Sequence, residues 1–240
     1  MSQSGKYRDR SKDERWQPQN ARVVRPDAPC GHPRRQGSGA LPWQESFTAR
    51  LEALALLQTL NAELLSHDSA TLTLDRWCAA HQLASPARIV AERVDSAYRA
   101  PMDEQGQLLD VNATEPVRYR KVRLVCGGHV LSEADNWYVP ARLTPEMNRV
   151  LDTTDTAFGR AVEALNFRRR TLSAKLLWSP LPQDWEMGAP LPEQRAATLT
   201  IPHEVLEHRA VLTLPNGTPF SEVVEIYTGE VLAFPQPRWP

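Results

Sequence analysis

The sequence is poor in several features that assign a function class directly. It has three cysteines, Cys30, Cys78 and Cys126, and no C-x-x-C pair, so it predicts free thiols rather than a disulfide framework. It has no uninterrupted run of about 18 apolar residues, which argues against a membrane-spanning helix. The first residues also lack the apolar core of a secretory leader. We therefore expect a cytoplasmic protein. Leu51–Leu57 would be part of a secretory leader only if translation began later than Met1.

Residue groupings typical of metal sites and phosphate loops are also missing. Cys30 and His32 lie close together but lack a second pair of ligands. His203 and His208 flank two glutamates, yet their strand-like surroundings do not give the single helix face of a zinc hydrolase. No glycine-rich phosphate loop is present. The sequence therefore predicts no metal and no cofactor.

The chain also has no large excess of charge of one sign, because its 28 Lys and Arg residues nearly balance its 29 Asp and Glu residues. That balance gives the chain as a whole no strong attraction for nucleic acid, and we expect no nucleic-acid partner. Residues 1–44 differ from the rest, being basic, rich in Arg, Pro, Gln, Gly and Ser, and almost without apolar periodicity. Such a segment cannot bury enough surface to offset its ordering entropy, which predicts a disordered basic tail.

One domain is predicted over residues 45–235, followed by an irregular tail over 236–240. Leucines at helical spacing between Phe47 and Leu65 predict an amphipathic helix, and a second helix is predicted over Thr71–His81. Met102–Thr114 contains turn-forming residues and predicts a loop.

Alternation of polar and apolar residues predicts strands over Arg88–Val94, Val117–Val125, His129–Val139, Thr171–Trp178, Val205–Leu214 and Phe220–Tyr227. The pairs Gly127-Gly128 and Asn216-Gly217 predict hairpins. Leu143–Leu151 and Thr156–Leu165 predict short helices, the latter followed by arginines 168–170 at its end. Because the helices segregate from the strands, the predicted class is α+β, an antiparallel β-sheet with helices packed against it.

Several short motifs occur in a recognisable order along the chain. They are Leu64-Leu-Ser-His-Asp-Ser-Ala-Thr71, Arg120-Lys-Val-Arg-Leu-Val125, Val139-Pro140, Thr156-Ala-Phe-Gly-Arg160, Gly217-Thr-Pro-Phe220 and Glu225-Ile-Tyr227. In this order they resemble the motifs of the chorismate–pyruvate lyase family, over most of the stretch from Leu64 to Phe234. The resemblance implies a chorismate-lyase-like fold.

The resemblance also implies a reaction, the elimination of pyruvate from chorismate to give 4-hydroxybenzoate for ubiquinone biosynthesis, without a cofactor. Carried over by position, it implies that Arg120 binds a substrate carboxylate, that Phe158 and Gly159 line the pocket, and that Glu225 is the catalytic residue. A planar guanidinium suits this role because it can bind a carboxylate through two hydrogen bonds. Glu222 is the alternative acidic residue, on the opposite face of its strand.

One position departs from the family pattern, because Asn136 or Trp137 stands where the family has a second arginine. One of arginines 168–170 could replace it. Two hypotheses follow: a cofactor-independent carbon–oxygen lyase, or a protein that binds a related small aromatic carboxylate, and, as the alternative, a non-catalytic module of the same fold that binds a small ligand. Arg120 and Glu225 as solvated strand residues, and a protein that works through its basic tail, are the remaining alternatives.

Overall fold

The computed structural model describes residues 43–94, 99–112, 114–191 and 197–237. They all belong to one unit, Ser38–Pro240. The predicted disordered tail lies outside the described residues up to residue 42, as do residues 238–240 of the predicted C-terminal tail. The predicted disordered N-terminal tail, the predicted irregular C-terminal tail and the predicted domain bounds therefore remain untested predictions.

Within the described residues, six antiparallel strands form a single sheet. They are β1 (Ile89–Arg93), β2 (Arg118–Cys126), β3 (His129–Tyr138), β4 (Arg168–Leu176), β5 (Glu204–Thr213) and β6 (Pro219–Thr228). Their order across the sheet is β1-β2-β3-β6-β5-β4, so two runs of neighbouring strands meet where β3 pairs with β6. Gly127 and Gly217 adopt φ values of 60° and 89° in the predicted hairpin turns, a conformation that glycine takes without strain.

The described residues form five α-helices. They are α1 (Phe47–Ser66), α2 (Ala70–Ala80), α3 (Asp103–Leu108), α4 (Pro145–Thr153) and α5 (Phe158–Ala161). Ser46, Ser69 and Thr144 cap α1, α2 and α4 by accepting a hydrogen bond from a backbone N–H of the first turn. These caps explain why each helix begins where it does.

The core lies mainly between the helices and one face of the sheet. Buried residues of α1 and α2, such as Leu57 and Leu74, share a cluster with Val122, Leu124 and Tyr227 of the sheet. A second cluster joins α4 and α5 to the same sheet through their apolar side chains and Phe220. A small third cluster, around Leu109 and Trp137, covers part of the opposite face. The helices thus enclose one face of β2, β3, β6 and β5.

The α+β class with an antiparallel sheet is confirmed, and so are most of the predicted elements. Two of the secondary-structure predictions are wrong. Met102–Thr114 contains α3 and is not a loop throughout. Arginines 168–170 lie in β4 rather than at the end of a helix, because α5 and a 3-10 turn (Glu163–Leu165) end before them.

Two of the predicted free thiols form a disulfide instead. Cys78 of α2 and Cys126 of β2 are bonded across a sequence separation of 48 residues, and both are fully buried. The free-thiol prediction is therefore wrong for this pair, and the predicted cytoplasmic localisation loses that support. None of the described helices has the length and apolar character needed to cross a membrane.

Candidate functional site

A cavity lies between the enclosed face of the sheet and the first turns of α2 and α5. The strands contribute Arg120, Val122, Leu124, Ala134, Asn136, Arg169, Leu212, Val223 and Glu225, and the covering segments contribute Asp68–Thr71, Phe158, Gly159 and Phe167. Its volume, counted as positions open to the centre of a water molecule, is about 40 Å³. One water needs roughly 10–15 Å³ by this measure, so the cavity has room for on the order of three.

Strand register brings the polar side chains of the cavity to one face. Arg120 pairs with Asn136, and Asn136 pairs with Val223. Glu225 lies two residues beyond Val223, and therefore on the same face. From ordinary strand spacings, the Cα atoms of Arg120 and Glu225 are about 12 Å apart. Only long side chains can reach a common space across that separation, and both residues have them.

Arg120 is a buried cation without a carboxylate partner among the described residues. The residue is 8% exposed, and its Nη2 donates to the carbonyl oxygen of Thr156 at 3.2 Å. Nε and Nη1 are buried and have no hydrogen-bond partner. Burial lowers the pKa of Arg120, although a guanidinium remains charged at neutral pH. Asp152 and Asp155 favour the charge of Arg120 without forming an ion pair with it, and Arg93 opposes it. A buried guanidinium without an anion in contact is costly, so this arrangement favours an anion beside it.

Arg169, the second buried arginine of the cavity, is fully paired in charge. Its Nη2 lies 2.6 Å from Oε2 of Glu225, with the two side chains 4% and 7% exposed. Burial opposes the charge of Arg169, but Glu225, Tyr227 and Asp68 together outweigh it and raise the pKa of Arg169. Tyr227 also donates to the same Oε2 at 3.1 Å, and burial raises the pKa of Tyr227 well above its usual value. Arg120 therefore carries the unpaired charge.

Gly159 lets the covering segments approach each other closely. A Cβ at this position would lie 2.8 Å from Oγ of Ser69 and 3.1 Å from Oγ1 of Thr71. Asp68, just before α2, accepts a hydrogen bond from the backbone N–H of Arg169 at 2.8 Å. These contacts hold the start of α2 over the sheet, with Ala70 and Thr71 lining the cavity at the positive end of the helix dipole.

His208 lies next to Glu225 across β5 and β6 and is fully buried. Its Nε2 is 2.8 Å from Oδ1 of Asn61, while Nδ1 has no partner. Burial lowers the pKa of His208 to about 4, so the ring is neutral at neutral pH. Among the described residues, no cluster of three or more His, Cys, Asp and Glu side chains is placed to hold a metal ion.

The structure brings all four predicted site residues, Arg120, Phe158, Gly159 and Glu225, to this one cavity. Their roles in binding or catalysis stay predictions. The alternative Glu222 is buried away from the cavity, where its Oε1 accepts from Arg209 at 2.6 Å.

The position of the expected second arginine is occupied on the cavity wall by Asn136. Trp137 packs in the third cluster instead. Of arginines 168–170, Arg169 alone lines the cavity, while its two neighbours are exposed. The sequence alone did not indicate which of these three arginines faces the cavity. Strand alternation distinguishes them once β4 is known to begin at Arg168.

A curated relative shows the family of the chain. Uncharacterized protein y4mC of Sinorhizobium fredii is 59% identical over 196 residues, which cover 81% of this chain and 83% of y4mC. No protein-family model matches the chain.

Solved structures give more distant likenesses. PhnF from Mycobacterium smegmatis aligns at 13% identity and a TM-score of 0.41, over 68% of this chain and 65% of PhnF. The PhnF effector domain aligns at 12% and 0.40, over 63% of this chain and 88% of that domain. The possible transcriptional regulator YydK from Bacillus subtilis aligns at 17% and 0.37, over 63% of this chain and 61% of YydK. The chain thus spans less than two thirds of PhnF and of YydK.

Proposed function

We propose that this chain, which belongs to the same protein family as y4mC of Sinorhizobium fredii, binds a small monocarboxylate in the cavity at Arg120. One observation carries the proposal: Arg120, a residue that is 8% exposed, keeps two buried guanidinium nitrogens, Nε and Nη1, without partners. Each free nitrogen can donate a hydrogen bond to a ligand oxygen, and a carboxylate would also neutralise the charge.

The charges around the cavity favour a ligand with a single carboxylate. Arg169 and Glu225 neutralise each other, and Asn136 is neutral. Asp68 lies at the edge of the cavity and pairs loosely with the exposed Arg168 at 3.8 Å. Arg120 therefore remains as one positive charge to be compensated, and a second carboxylate would have no cation of its own.

The same observations make ligand binding a better-supported function than lyase activity. Chorismate has two carboxylates and a ring, whereas only one of the two arginines that line the cavity, Arg120, lacks a carboxylate in ion-pair contact. Glu225, the predicted catalytic residue, has one carboxylate oxygen already bound by Arg169 and Tyr227. Elimination of pyruvate from chorismate stays a prediction that the same experiment addresses.

The experiment titrates the full chain with acetate and with glycolate at constant ionic strength. Calorimetry measures binding, and thermal unfolding measures the melting temperature. We expect both acids to bind and to raise the melting temperature, with chloride as the reference anion. Arg120→Met should abolish the effect. It should not lower the melting temperature of the free protein, because it removes an unpaired buried charge.

Arg123→Met is the matched control, because Arg123 lies in the same strand but is exposed on the other face. This variant should bind acetate like the parent. Undiminished acetate binding by Arg120→Met would refute the proposal. Formation of 4-hydroxybenzoate from chorismate, abolished in Glu225→Gln, would instead establish the lyase reaction.

A further inference from the structure

A groove opens on the surface directly beside the cavity. It is lined by His67, Asp68, Ser69, Leu72, Arg76, Glu163, Asn166 and Phe167, and its volume, counted in the same way, is about 210 Å³. By this measure the groove offers more room than the cavity beside it.

Three residues, Asp68, Ser69 and Phe167, line both spaces and so form the wall between them. The backbone fixes the first two, since Ser69 caps α2 and Asp68 accepts a hydrogen bond from the N–H of Arg169. Phe167 is the bulky, apolar part of the wall. It is 7% exposed, and its ring meets that of Phe220 edge to face at 6.0 Å.

The segment before Phe167 also holds it in place. Asn166 has a left-handed φ of 50°, which an asparagine tolerates better than most residues, and it ends the turn that leads into β4. The position of Phe167 is thus set by the turn on one side and by the aromatic cluster on the other. Phe167 is therefore a fixed and bulky part of the wall between the two spaces.

We propose that the cavity and the groove are two subsites for one ligand, and that Phe167 determines the size of the group that connects them. This inference rests on the proposed function, since it places the carboxylate at Arg120. The rest of the ligand passes Phe167 as a narrow chain and ends in the groove.

The side chains of the groove indicate the chemistry of that far end. They are mostly polar and carry both signs, with Arg76 opposed by Asp68 and Glu163. Arg76 also lies 3.8 Å from Glu63 and donates to Oγ1 of Thr73 at 3.1 Å, so its charge is already partly satisfied. A second carboxylate would face Asp68 and Glu163, whereas a hydroxyl would find donors and acceptors. The ligand class is therefore an elongated monocarboxylate with an uncharged polar end.

The test compares acetate, 6-hydroxyhexanoate, adipate and 4-hydroxybenzoate by calorimetry on the full chain. The parent protein should bind 6-hydroxyhexanoate more tightly than acetate and roughly 10-fold more tightly than adipate, because like charges are disfavoured in the groove. Glu163→Gln should narrow the difference between adipate and 6-hydroxyhexanoate without changing acetate binding.

Phe167→Leu should open the wall, because leucine is smaller and lacks the flat ring. We expect the affinity for 4-hydroxybenzoate, relative to that for acetate, to be roughly 10-fold higher in this variant than in the parent. Phe158→Leu is the matched control, since Phe158 belongs to the same aromatic cluster but lines the cavity alone. It should give a smaller gain for 4-hydroxybenzoate than Phe167→Leu.

The inference and the proposed function fail in different ways. If acetate binds in an Arg120-dependent manner but Phe167→Leu and Glu163→Gln keep the selectivity of the parent, the two-subsite inference is wrong and the binding function stands. If acetate does not bind to the parent protein at all, the proposed function is wrong.

Discussion

Individual residues in the cavity differ in whether their burial is compensated. The side chain of Arg169 is also buried, and its Nε has no partner, but its charge is paired with Glu225, which also accepts a hydrogen bond from Tyr227. Arg120 has a single backbone carbonyl within hydrogen-bond distance. Since breaking a buried ion pair leaves an uncompensated charge, substitution of Glu225 should be far more damaging than substitution of Arg120. Arg169 thus stabilises the fold, whereas Arg120 is kept buried by the rest of the fold.

At the same scale, His208 should make stability fall as the pH is lowered. Its pKa is about 4 in the folded protein because of burial, against about 6.5 in an unfolded chain. Between these values the unfolded chain binds a proton that the folded protein does not, so stability decreases as the pH falls from 6.5 to 4. The full difference is roughly 3 kcal/mol. Urea unfolding at pH 7.0 and pH 4.5 measures it.

His208→Gln should flatten this pH dependence, since glutamine cannot take up the proton. His67→Gln, the same substitution at an exposed position at the end of α1, is the control. Glu225 and Arg169, the charged neighbours of His208, are retained in both variants. An unchanged pH profile in His208→Gln would contradict the assignment.

At the scale of elements, the contact between α2 and α5 depends on a glycine. Gly159→Ala would place a Cβ 2.8 Å from Oγ of Ser69, the atom that caps α2. Displacing that hydroxyl should cost about 1 kcal/mol, the usual value of such a cap. Urea unfolding tests this. Gly128→Ala is the control, because a Cβ there has no atom within 4 Å. Equal free energies of unfolding for the two variants would show that α5 can shift away from Ser69 without a loss of stability.

Much of the secondary structure was predictable because its signals are local. The alternation in β2 places Arg120, Val122 and Leu124 on one face of the strand, and the structure buries all three. The helix α3 was missed because it is short and contains Gly106. Its signals are the acidic Asp103 and Glu104 in the first turn, and Gln105, whose side chain accepts from the N–H of Met102.

Contacts between distant segments could not be read from the sequence. Arg169 and Glu225 are 56 residues apart, and their ion pair follows from the order of three strands across the sheet. The start of β4 was missed because three consecutive arginines show no alternation between polar and apolar residues. The disulfide was missed for a similar reason, since Cys78 and Cys126 belong to different elements and carry no shared motif.

At the scale of the whole molecule, the Cys78–Cys126 disulfide should be a large contributor to stability. It closes a loop of 48 residues, and the loss of chain entropy in the unfolded state corresponds to roughly 4 kcal/mol. The double variant Cys78→Ser, Cys126→Ser should therefore unfold at a clearly lower urea concentration than the oxidised protein. Reductant should destabilise the parent and leave the double variant unaffected. Equal unfolding midpoints for oxidised parent and double variant would contradict this expectation.

The meeting of β3 and β6 has a consequence for how the protein folds. Arg120 and Asn136 come from the strands before this boundary, and Arg169 and Glu225 from the strands after it. Strands β2 and β3 pair through a tight turn, as do β5 and β6, whereas the pairing of Ser132 with Tyr227 closes a long loop. The binding cavity is complete only when both groups of strands have joined. A ligand held across this boundary would therefore slow unfolding without accelerating folding, and would lengthen the lifetime of the native state.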